Sequence, residues 1–143
     1  MKKIIVLLFI VASVPAFATD SLSAKVIDRF TIDFPQAENV KWYENGGNIQ
    51  VYYTAGDISC NIYYNADGEV TRTRRYYQEK DLAPYIRAKV AQAYAGKKIF
   101  GITETSTAKG IRYNIKLEDE KSWTEVVSDS NGQLDAANEM TKM

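Results

Sequence analysis

Residues 48–64 have the sequence NIQVYYTAGDISCNIYY, two alternating segments separated by a short Ala55-Gly56-Asp57 turn. Successive side chains of a β-strand point to opposite faces, so each segment has one apolar face. That face is formed by Ile49, Val51, Tyr53, Ile58, Cys60 and Ile62. Because so short a turn can join only antiparallel strands, the stretch predicts a β-hairpin with one buried face.

Segments on either side extend this hairpin into a larger unit. Residues 39–44 alternate and precede an Asn-Gly-Gly-Asn sequence, which is a favoured hairpin connection. Residues 69–77 follow a second tight turn and predict a fourth strand. Before the sheet, residues 21–34 place apolar side chains on one face of a helix that ends at Pro35. The first half is therefore expected to be a helix followed by an antiparallel meander.

The second half of the chain has the same order of elements. A helix is predicted at residues 82–95, with Asp81 as its N-cap, Pro84 in its first turn and Gly96 as its stop. Strands are predicted at residues 98–105, 110–117, 122–128 and, briefly, 133–135. Residues 136–143 contain no clear strand signal, so we expect this tail to be frayed.

Corresponding apolar positions indicate a tandem repeat. In the two helices the matching triplets are Val26, Phe30, Phe34 and Ile86, Val90, Tyr94. In the strands they are Ile49, Val51, Tyr53 and Ile111, Tyr113, Ile115. The repeats would span residues 21–77 and 82–135 within a single domain, residues 19–143. The predicted fold class is α+β: a tandem repeat of a helix followed by an antiparallel β-meander, with the helices packed on one face of the sheet.

Residues 1–18 have the features of a signal peptide. Lys2 and Lys3 precede an apolar stretch, and Ala16-Phe17-Ala18 is a small-x-small cleavage site. Spanning a bilayer takes about 20 apolar residues, so the stretch is too short for a membrane anchor. We therefore expect cleavage after Ala18, a periplasmic or secreted mature chain, and no membrane insertion after cleavage.

Composition excludes several classes of chemistry. The chain has no histidine and one cysteine, which excludes imidazole or thiolate zinc sites and a Cys–His nucleophile. Cys60 lies in an apolar phase and is expected to be a buried packing residue. For Glu118, Asp119 and Glu120, clustered in a turn, we expect solvated charge rather than a catalytic pair. Residues 129–135 lack the closing Glu of a calcium loop, so a hairpin turn is expected. No catalytic residue, cofactor or metal site is predicted, and we expect the protein not to be an enzyme.

The charge balance argues against a nucleic-acid partner. The chain has 18 basic and 18 acidic residues, and removing Lys2 and Lys3 leaves a net charge of about −2. One basic run, Arg72, Arg74 and Arg75, could contact phosphate together with the tyrosines that follow it. The alternative, an exposed or edge strand protected by charge, is favoured for an exported chain. We therefore predict no nucleic-acid partner.

Aromatic residues are the remaining functional signal. The chain has 10 tyrosines and 2 tryptophans, and strand alternation separates several of them from the apolar phase. Tyrosine combines a large contact area with a polar tip, which suits recognition. The candidate partner-binding residues are Tyr43, Tyr52, Tyr63, Arg112, Lys116 and Trp123. The alternative is cross-strand aromatic pairing that only stabilises the sheet. Trp42 and Phe34 are assigned to the core.

Several packing and turn motifs resemble a known family. They are Phe34-Pro35-x-Ala37-x-x-Val40-x-Trp42, Asp67-Gly68-x-Val70-x-x-Thr73 and Leu82-x-Pro84. With the signal peptide, they resemble the PepSY-like family of small exported bacterial proteins, which is similar in fold to the β-lactamase inhibitory protein. The resemblance implies tandem α/β repeats with a curved, exposed sheet surface, and it supplies no catalytic residues. Phe100-Gly101-Ile102 replaces Val40-Lys41-Trp42 in the second repeat, so the equivalence between the halves is loose.

The expected function is that of a non-enzymatic exported binding module. It would recognise a protein or peptide in the cell envelope through an open, tyrosine-bearing sheet face. Inhibition of an envelope enzyme is a specific version that rests on the resemblance alone. The alternative is a small-ligand carrier or sensor in the periplasm, which a closed apolar pocket would favour. A third candidate is an enzyme that uses only carboxylates, tyrosines and lysines.

Overall fold

The described part of the chain forms two helices and eight strands. The computed structural model describes the backbone of residues 22–143 and the side chains of residues 24–135 and 138–143. The elements are α1 (Leu22–Asp33), β1 (Glu38–Asn45), β2 (Asn48–Ala55), β3 (Ile58–Tyr64), β4 (Val70–Tyr77), α2 (Pro84–Ala93), β5 (Lys98–Thr107), β6 (Gly110–Glu118), β7 (Ser122–Asp129) and β8 (Leu134–Thr141). The predicted signal peptide, residues 1–18, and its cleavage site lie outside the described residues.

All eight strands belong to one antiparallel sheet, and their spatial order from β1 to β8 is their order in the chain. Each strand therefore pairs with its neighbours in sequence through short turns, except that the connection from β4 to β5 contains α2. Arg75 on β4 lies opposite Glu104 on β5, so these two central strands join the halves of the chain. The predicted α+β class with an antiparallel sheet is confirmed.

Hydrophobic residues form two buried clusters. One joins α1 to β2 and β3 and consists of Val26, Phe30, Ile49, Val51, Tyr53, Cys60, Ile62 and Tyr64. The other joins α2 to strands β4–β7 and consists of Tyr77, Leu82, Ile86, Val90, Ile102, Tyr113, Ile115, Leu117 and Val126. Fully burying one aliphatic side chain stabilises a fold by about 1.5–3 kcal/mol. The two clusters therefore supply most of the favourable contacts between helices and sheet.

Cross-strand register assigns both clusters to one face of the sheet. Opposed residues of antiparallel strands point to the same side. One row of opposed residues crosses β2 to β6 and consists of Tyr53, Cys60, Arg75, Glu104 and Tyr113. Because this row contains members of both clusters, the clusters lie on the same side. We call this side the buried face and the other side the open face.

The start of α2 differs from the sequence prediction. Pro84 lies in the first turn, as its missing N–H allows. The N-cap is Ala83, which makes no side-chain capping bond, whereas Asp81, the predicted cap, ends a 3₁₀ turn before the helix. Beyond the helix Gly96 adopts a φ of 86°, a left-handed conformation that glycine tolerates without strain. The chain can therefore turn directly into β5.

The C-terminal tail, predicted to be frayed, forms most of strand β8. Trp123 on β7 lies opposite Met140 on β8, and the Lys142 N–H donates to the Lys121 carbonyl at 2.8 Å. The sequence of β8, LDAANEMT, contains few residues that favour strands. Pairing with β7 therefore fixes this strand, which its own propensity does not predict.

Trp42 and Phe34, both assigned to the core from the sequence, lie at the margin of the α1 cluster. Each is half-buried and packs against buried residues. The Trp42 ring stands edge-on to the ring of Phe30, at 5.2 Å and 80°. Val40, in the same strand phase, is 37% exposed. The reason is that β1 is an edge strand whose register shifts near its start, so its first residues leave the core.

Ile111 also departs from the position expected of a repeat. It is 38% exposed, whereas Ile49, matched to it in the sequence, is 3% exposed. The buried residues of β6 are instead Tyr113, Ile115 and Leu117. Ile111 follows Gly110 at the turn end of the strand, outside the α2 cluster.

Candidate functional site

The open face carries all six candidate residues. In one row, Tyr43 lies opposite Gln50, which lies opposite Tyr63. The row beside it contains Lys41, Tyr52, Asn61, Arg74, Thr105 and Arg112. Lys116 and Trp123 alternate with the buried residues of β6 and β7 and so point the same way.

A first aromatic patch lies at the β1–β4 side of this face and consists of Tyr43, Tyr63 and Arg72. The Tyr43 side chain is 55% exposed, and Tyr63 is half-buried. The Arg72 guanidinium lies 3.9 Å from the centre of the Tyr63 ring. Such a cation–π contact at an exposed site contributes about 0.5–1 kcal/mol. It keeps both side chains extended over the sheet, where a partner can reach them.

A second aromatic patch lies on strands β5–β8 and consists of Phe100, Lys116, Trp123 and Met140. The rings of Phe100 and Trp123 meet edge to face at 4.9 Å. The Lys116 ammonium lies 4.3 Å from the centre of the Trp123 ring, and the Lys142 ammonium lies 4.4 Å from it. Phe100 is 50% exposed and Met140 is 52% exposed. An apolar surface is therefore available to a partner here as well.

The structure separates the six candidates into groups. Tyr43 and Tyr63 belong to the first patch, and Lys116 and Trp123 belong to the second. Tyr52 and Arg112 lie in one row but are separated by three intervening strands, so they do not touch. The open face is therefore a broad surface and not one compact site.

Sequence reasoning missed several residues of this face. Phe100 was missed because a register shift in β5 breaks simple alternation. Met140 was missed because residues 136–143 were expected to be a frayed tail, whereas most of them belong to β8. Tyr76 and Arg72 had a usable signal, because both alternate with buried Tyr77 along β4. Tyr76 is 37% exposed and lies opposite Thr103.

The basic run was predicted to lie on an exposed or an edge strand, and the strand that carries it is internal. β4 is paired on both sides, with β3 and β5. Arg72 and Arg74 belong to the open face, whereas Arg75 points to the buried face opposite Cys60. Protection of an exposed edge therefore does not explain the run.

On the buried face, Arg75, Tyr77 and Glu104 form a polar bridge between the two clusters. The Tyr77 hydroxyl donates to Glu104 Oε2 at 2.6 Å, and Arg75 Nη1 lies 3.3 Å from Glu104 Oε1. Burial and, after it, the bond to Glu104 raise the pKa of Tyr77, so the phenol stays neutral. The bridge satisfies charged groups inside the sheet and presents no free acid or base.

A polar lock fastens β8 to the rest of the domain. Lys97 Nζ donates to Asp119 Oδ2 at 2.6 Å, to Ser122 Oγ at 2.7 Å and to Glu139 Oε1 at 3.0 Å. Asp119 also accepts backbone N–H bonds from Lys121 and Ser122. Asp119 was predicted to be solvated charge; the structure places it in this bonded network because the turn folds it back onto Lys97.

The Ser122–Lys97 contact superficially resembles a serine–lysine nucleophile pair. The bond to Asp119 and then that to Glu139 raise the pKa of Lys97, so its ammonium holds its proton. A general base must instead give up its proton near neutral pH. Ser122 is also 7% exposed. The contact therefore has the chemistry of a structural lock.

The turn at residues 129–132 uses its carboxylate internally. Asp129 Oδ1 accepts the N–H groups of Asn131 and Gln133 at 2.8 and 2.9 Å. This is the bonding of an Asx-stabilised hairpin turn. Within residues 22–143, as far as side chains are described, no group of three or more acidic, His or Cys side chains is arranged to hold a metal ion.

Solved structures with this architecture exist, although no protein-family model and no curated protein sequence matches the chain significantly. A BLIP-like protein from Bacteroides fragilis superposes with a TM-score of 0.64 at 13% identity, over 84% of this chain and 87% of that chain. A DUF2874 family protein from Bacteroides ovatus gives 0.64 at 18% identity, over 84% and 89%. A Bacteroides eggerthii structure, provisionally named a periplasmic protein, gives 0.62 at 11% identity, over 81% and 87%.

The chain has the BLIP-like fold. The superposition covers most of both chains, so the likeness concerns the whole architecture and not one motif. At these identities it shows the fold alone. Any partner of this sheet is therefore a matter of the side chains that the sheet itself carries.

Proposed function

We propose that the chain is a non-enzymatic binding module of the cell envelope that recognises a protein or peptide through its open face. The observation that carries this proposal is the pair of aromatic patches on one sheet face, which neither α1 nor α2 covers. Tyr43, Phe100 and Met140 are each at least half exposed. Exposed aromatic and Met side chains are typical of interface anchors.

These side chains stabilise a complex when a partner covers them. Each exposed aromatic ring has apolar surface in contact with water, and burying that surface contributes about 25 cal/mol per Å² to binding. Tyr and Trp lose little rotamer freedom, since few of their bonds rotate. Arg72 and Lys116 already restrict Tyr63 and Trp123 in the free protein. The entropic cost of binding is correspondingly smaller.

We further propose a family and a cellular location for the chain. It is related to the PepSY-like family, and it is a tandem repeat in which each helix covers one half of the sheet. An envelope location is supported by the signal-like residues 1–18 and by the provisional name of the Bacteroides eggerthii structure. Among residues 22–143 no helix has the length and apolarity needed to cross a membrane. Inhibition of an envelope enzyme is the specific activity that we propose to test.

Site-directed photo-crosslinking in the host tests the binding face. A photoreactive phenylalanine analogue is placed at Tyr43 or Phe100 on the open face. The control positions are Tyr85 on α2, which is 48% exposed, and Ile27 on α1, which is 40% exposed. The proposal expects protein adducts from the open-face positions only. Adducts from the helix positions only would place the binding surface on the opposite side.

A triple substitution separates binding from folding. Changing Tyr43, Tyr52 and Tyr63 to Ser should cost only about 1–2 kcal/mol of stability, through lost cross-strand pairs. Central aromatic anchors often contribute about 2 kcal/mol or more each to binding, so capture of the crosslinked partner should fall sharply. A stable triple variant that captures the partner as well as the wild type would contradict the proposal.

The small-ligand alternative rests on an open cleft of about 920 Å³ beside the polar lock. Its charged and polar lining includes Lys98, Glu118, Glu120, Lys121 and Glu139. Ligand sites are usually concave and mostly apolar, with few polar groups. A carrier for apolar molecules is therefore not favoured by this cleft.

A further inference from the structure

Charge is distributed unevenly over the open face. On β2–β5, whose side chains are all described, every open-face residue of the paired rows is neutral or basic. The cations over strands β1–β6 include Lys41, Arg72, Arg74, Arg112 and Lys116. The carboxylates of the face lie on the strands that flank this central part: Glu38 on β1, Glu118 on β6, Glu125 and Asp129 on β7, and Asp135 on β8. In a chain of formal net charge +0, the centre of this face is therefore basic.

These five cations lack ionic partners within the described part of the chain. The ion pairs formed there involve other basic residues, namely Arg29, Arg75, Lys80, Lys97 and Lys142. Arg74 is the most constrained of the five, because its Nε is buried and has no hydrogen-bond acceptor among these residues. A donor left without an acceptor is unfavourable. In the free protein the Arg74 guanidinium thus has neither an ionic partner nor an acceptor for its Nε among the described residues.

Two of the arginines have the spacing of an extended chain. Arg72 and Arg74 are two residues apart on one strand, which separates them by about 7 Å, the distance between alternate side chains of an extended segment. Arg112 lies in one row with Arg74, about 10 Å away in the direction across the strands. A segment that lies along β4 can therefore set two alternate carboxylates against Arg72 and Arg74, while Arg112 is left for a further carboxylate at its side.

We infer that the partner presents an acidic, extended segment whose carboxylates bind Arg72, Arg74 and Arg112 between the two aromatic patches. The inference rests on the proposed function and specifies its partner. A guanidinium binds a carboxylate through two parallel hydrogen bonds, which gives register as well as attraction. The aromatic patches then contact apolar residues on either side of the segment.

A nucleic acid fits this surface less well. Its phosphates repeat along a continuous backbone and require a matching track of cations. Here Glu125 and Asp129 interrupt the basic area at β7, and Asp129 lies directly opposite Arg112. A protein segment can place its few carboxylates selectively and avoid these two.

Fluorescence anisotropy with defined probes tests the inference. The probe is a labelled poly-glutamate peptide, and the comparison probes are poly-lysine, single-stranded oligothymidine and vesicles of anionic phospholipid. Wild-type protein should bind poly-glutamate, and the binding should weaken as salt is added. The triple variant R72Q/R74Q/R112Q should bind it roughly tenfold more weakly or worse.

A matched control removes the same charge elsewhere. K25Q/K109Q/K121Q changes three exposed lysines away from the open-face rows and should bind like the wild type. If both triple variants lose the same affinity for poly-glutamate, the attraction is nonspecific and the inference is wrong. Tighter binding of oligothymidine or of the vesicles than of poly-glutamate would also overturn it. If poly-glutamate does not bind but the open-face positions still crosslink to a protein, the inference of an acidic partner is wrong and the proposed binding face is retained. If the crosslinks come only from the helices, the binding face itself is wrong.

Discussion

Arg75 on β4 and Glu104 on β5 face each other across the strands that join the two halves of the sheet, with Nη1 and Oε1 3.3 Å apart. The Glu104 side chain is 14% exposed and also accepts the Tyr77 hydroxyl. Tyr53 and Cys60 continue the same row toward the α1 cluster, and Tyr113 continues it toward the α2 cluster. This ion pair therefore lies where the two hydrophobic clusters meet.

Glu104→Gln should lower the free energy of unfolding by about 1–3 kcal/mol, because it leaves the Arg75 charge and the Tyr77 hydroxyl without their ionised acceptor. Urea unfolding followed by tryptophan fluorescence measures the change. Asp33→Asn is the matched control, since it breaks the exposed Arg29–Asp33 pair, and it should cost at most about 0.5 kcal/mol. If the two substitutions lower the free energy of unfolding equally, the central bridge stabilises the protein no more than an exposed ion pair does.

Stability should fall in acid because of the polar lock. The bond from Lys97 lowers the pKa of Asp119, and bonds from Ser122 and then Lys97 lower the pKa of Glu139. In the unfolded chain these groups have pKa values of about 3.9 and 4.3. Their stabilisation is therefore fully present above about pH 5 and is lost as the pH falls through the lowered folded values.

Asp119→Asn should reduce that acid dependence. Melting temperatures of the wild type and the variant are compared at about pH 7 and about pH 3. The variant should be less stable at neutral pH and should lose less on acidification, because one of the two titrating groups is gone. If acidification lowers the melting temperature of the variant as much as that of the wild type, other carboxylates cause the acid sensitivity.

Cys60 should be protected from thiol reagents in the native protein. It is 4% exposed and lies within the α1 cluster. A native sample should react slowly with a disulfide reagent such as dithionitrobenzoate, and a sample in denaturant should react at once. Fast labelling of the native protein would mean that the α1 cluster opens readily or that the Cys60 side chain points to the open face.

Local pattern was enough to predict some elements of this fold and not others. The hairpin of β2 and β3 was predictable because Ile49, Val51 and Ile62 alternate strictly with polar residues. The face of Phe100 was not, since it depends on a register shift that arises only when strands pair. The face of Met140 was not, since no strand was predicted at residues 136–143. Within each half the strand order followed from short turns, whereas the pairing of β4 with β5 across α2 was not predicted. Strand β8 depends on its neighbour more than on its own sequence.

The same distinction applies to the candidate site. Tyr43, Tyr52 and Tyr63 could be placed on one face from alternation alone. Their association with Arg72, and that of Lys116 with Trp123, depends on which strands are neighbours and in which register. The charge distribution of the face depends on which residues lie opposite one another in neighbouring strands, and this register is not contained in the alternation of a single strand.

Removing residues 139–143 should destabilise the domain, although these residues looked dispensable from the sequence. The truncation deletes Glu139 from the polar lock and Lys142, which donates to Glu118 and to the Asp119 carbonyl. We expect a loss of about 1–3 kcal/mol in urea unfolding. A control that changes only Met143 to Ala should have no effect, since this residue is fully exposed. Full stability after truncation would restore the prediction of a frayed tail.

Trp42 and Tyr43, adjacent in sequence, should respond oppositely to substitution. Trp42 packs against Phe30 at the margin of the α1 cluster, so Trp42→Ala should cost about 2–4 kcal/mol of stability, near the lower range for buried aromatics. Tyr43 lies on the open face and is 55% exposed, so Tyr43→Ala should cost less than about 1 kcal/mol while weakening capture of the crosslinked partner. Urea unfolding and capture are measured on both variants. If Tyr43→Ala unfolds the protein while Trp42→Ala leaves it stable, the two faces of β1 have been assigned the wrong way round.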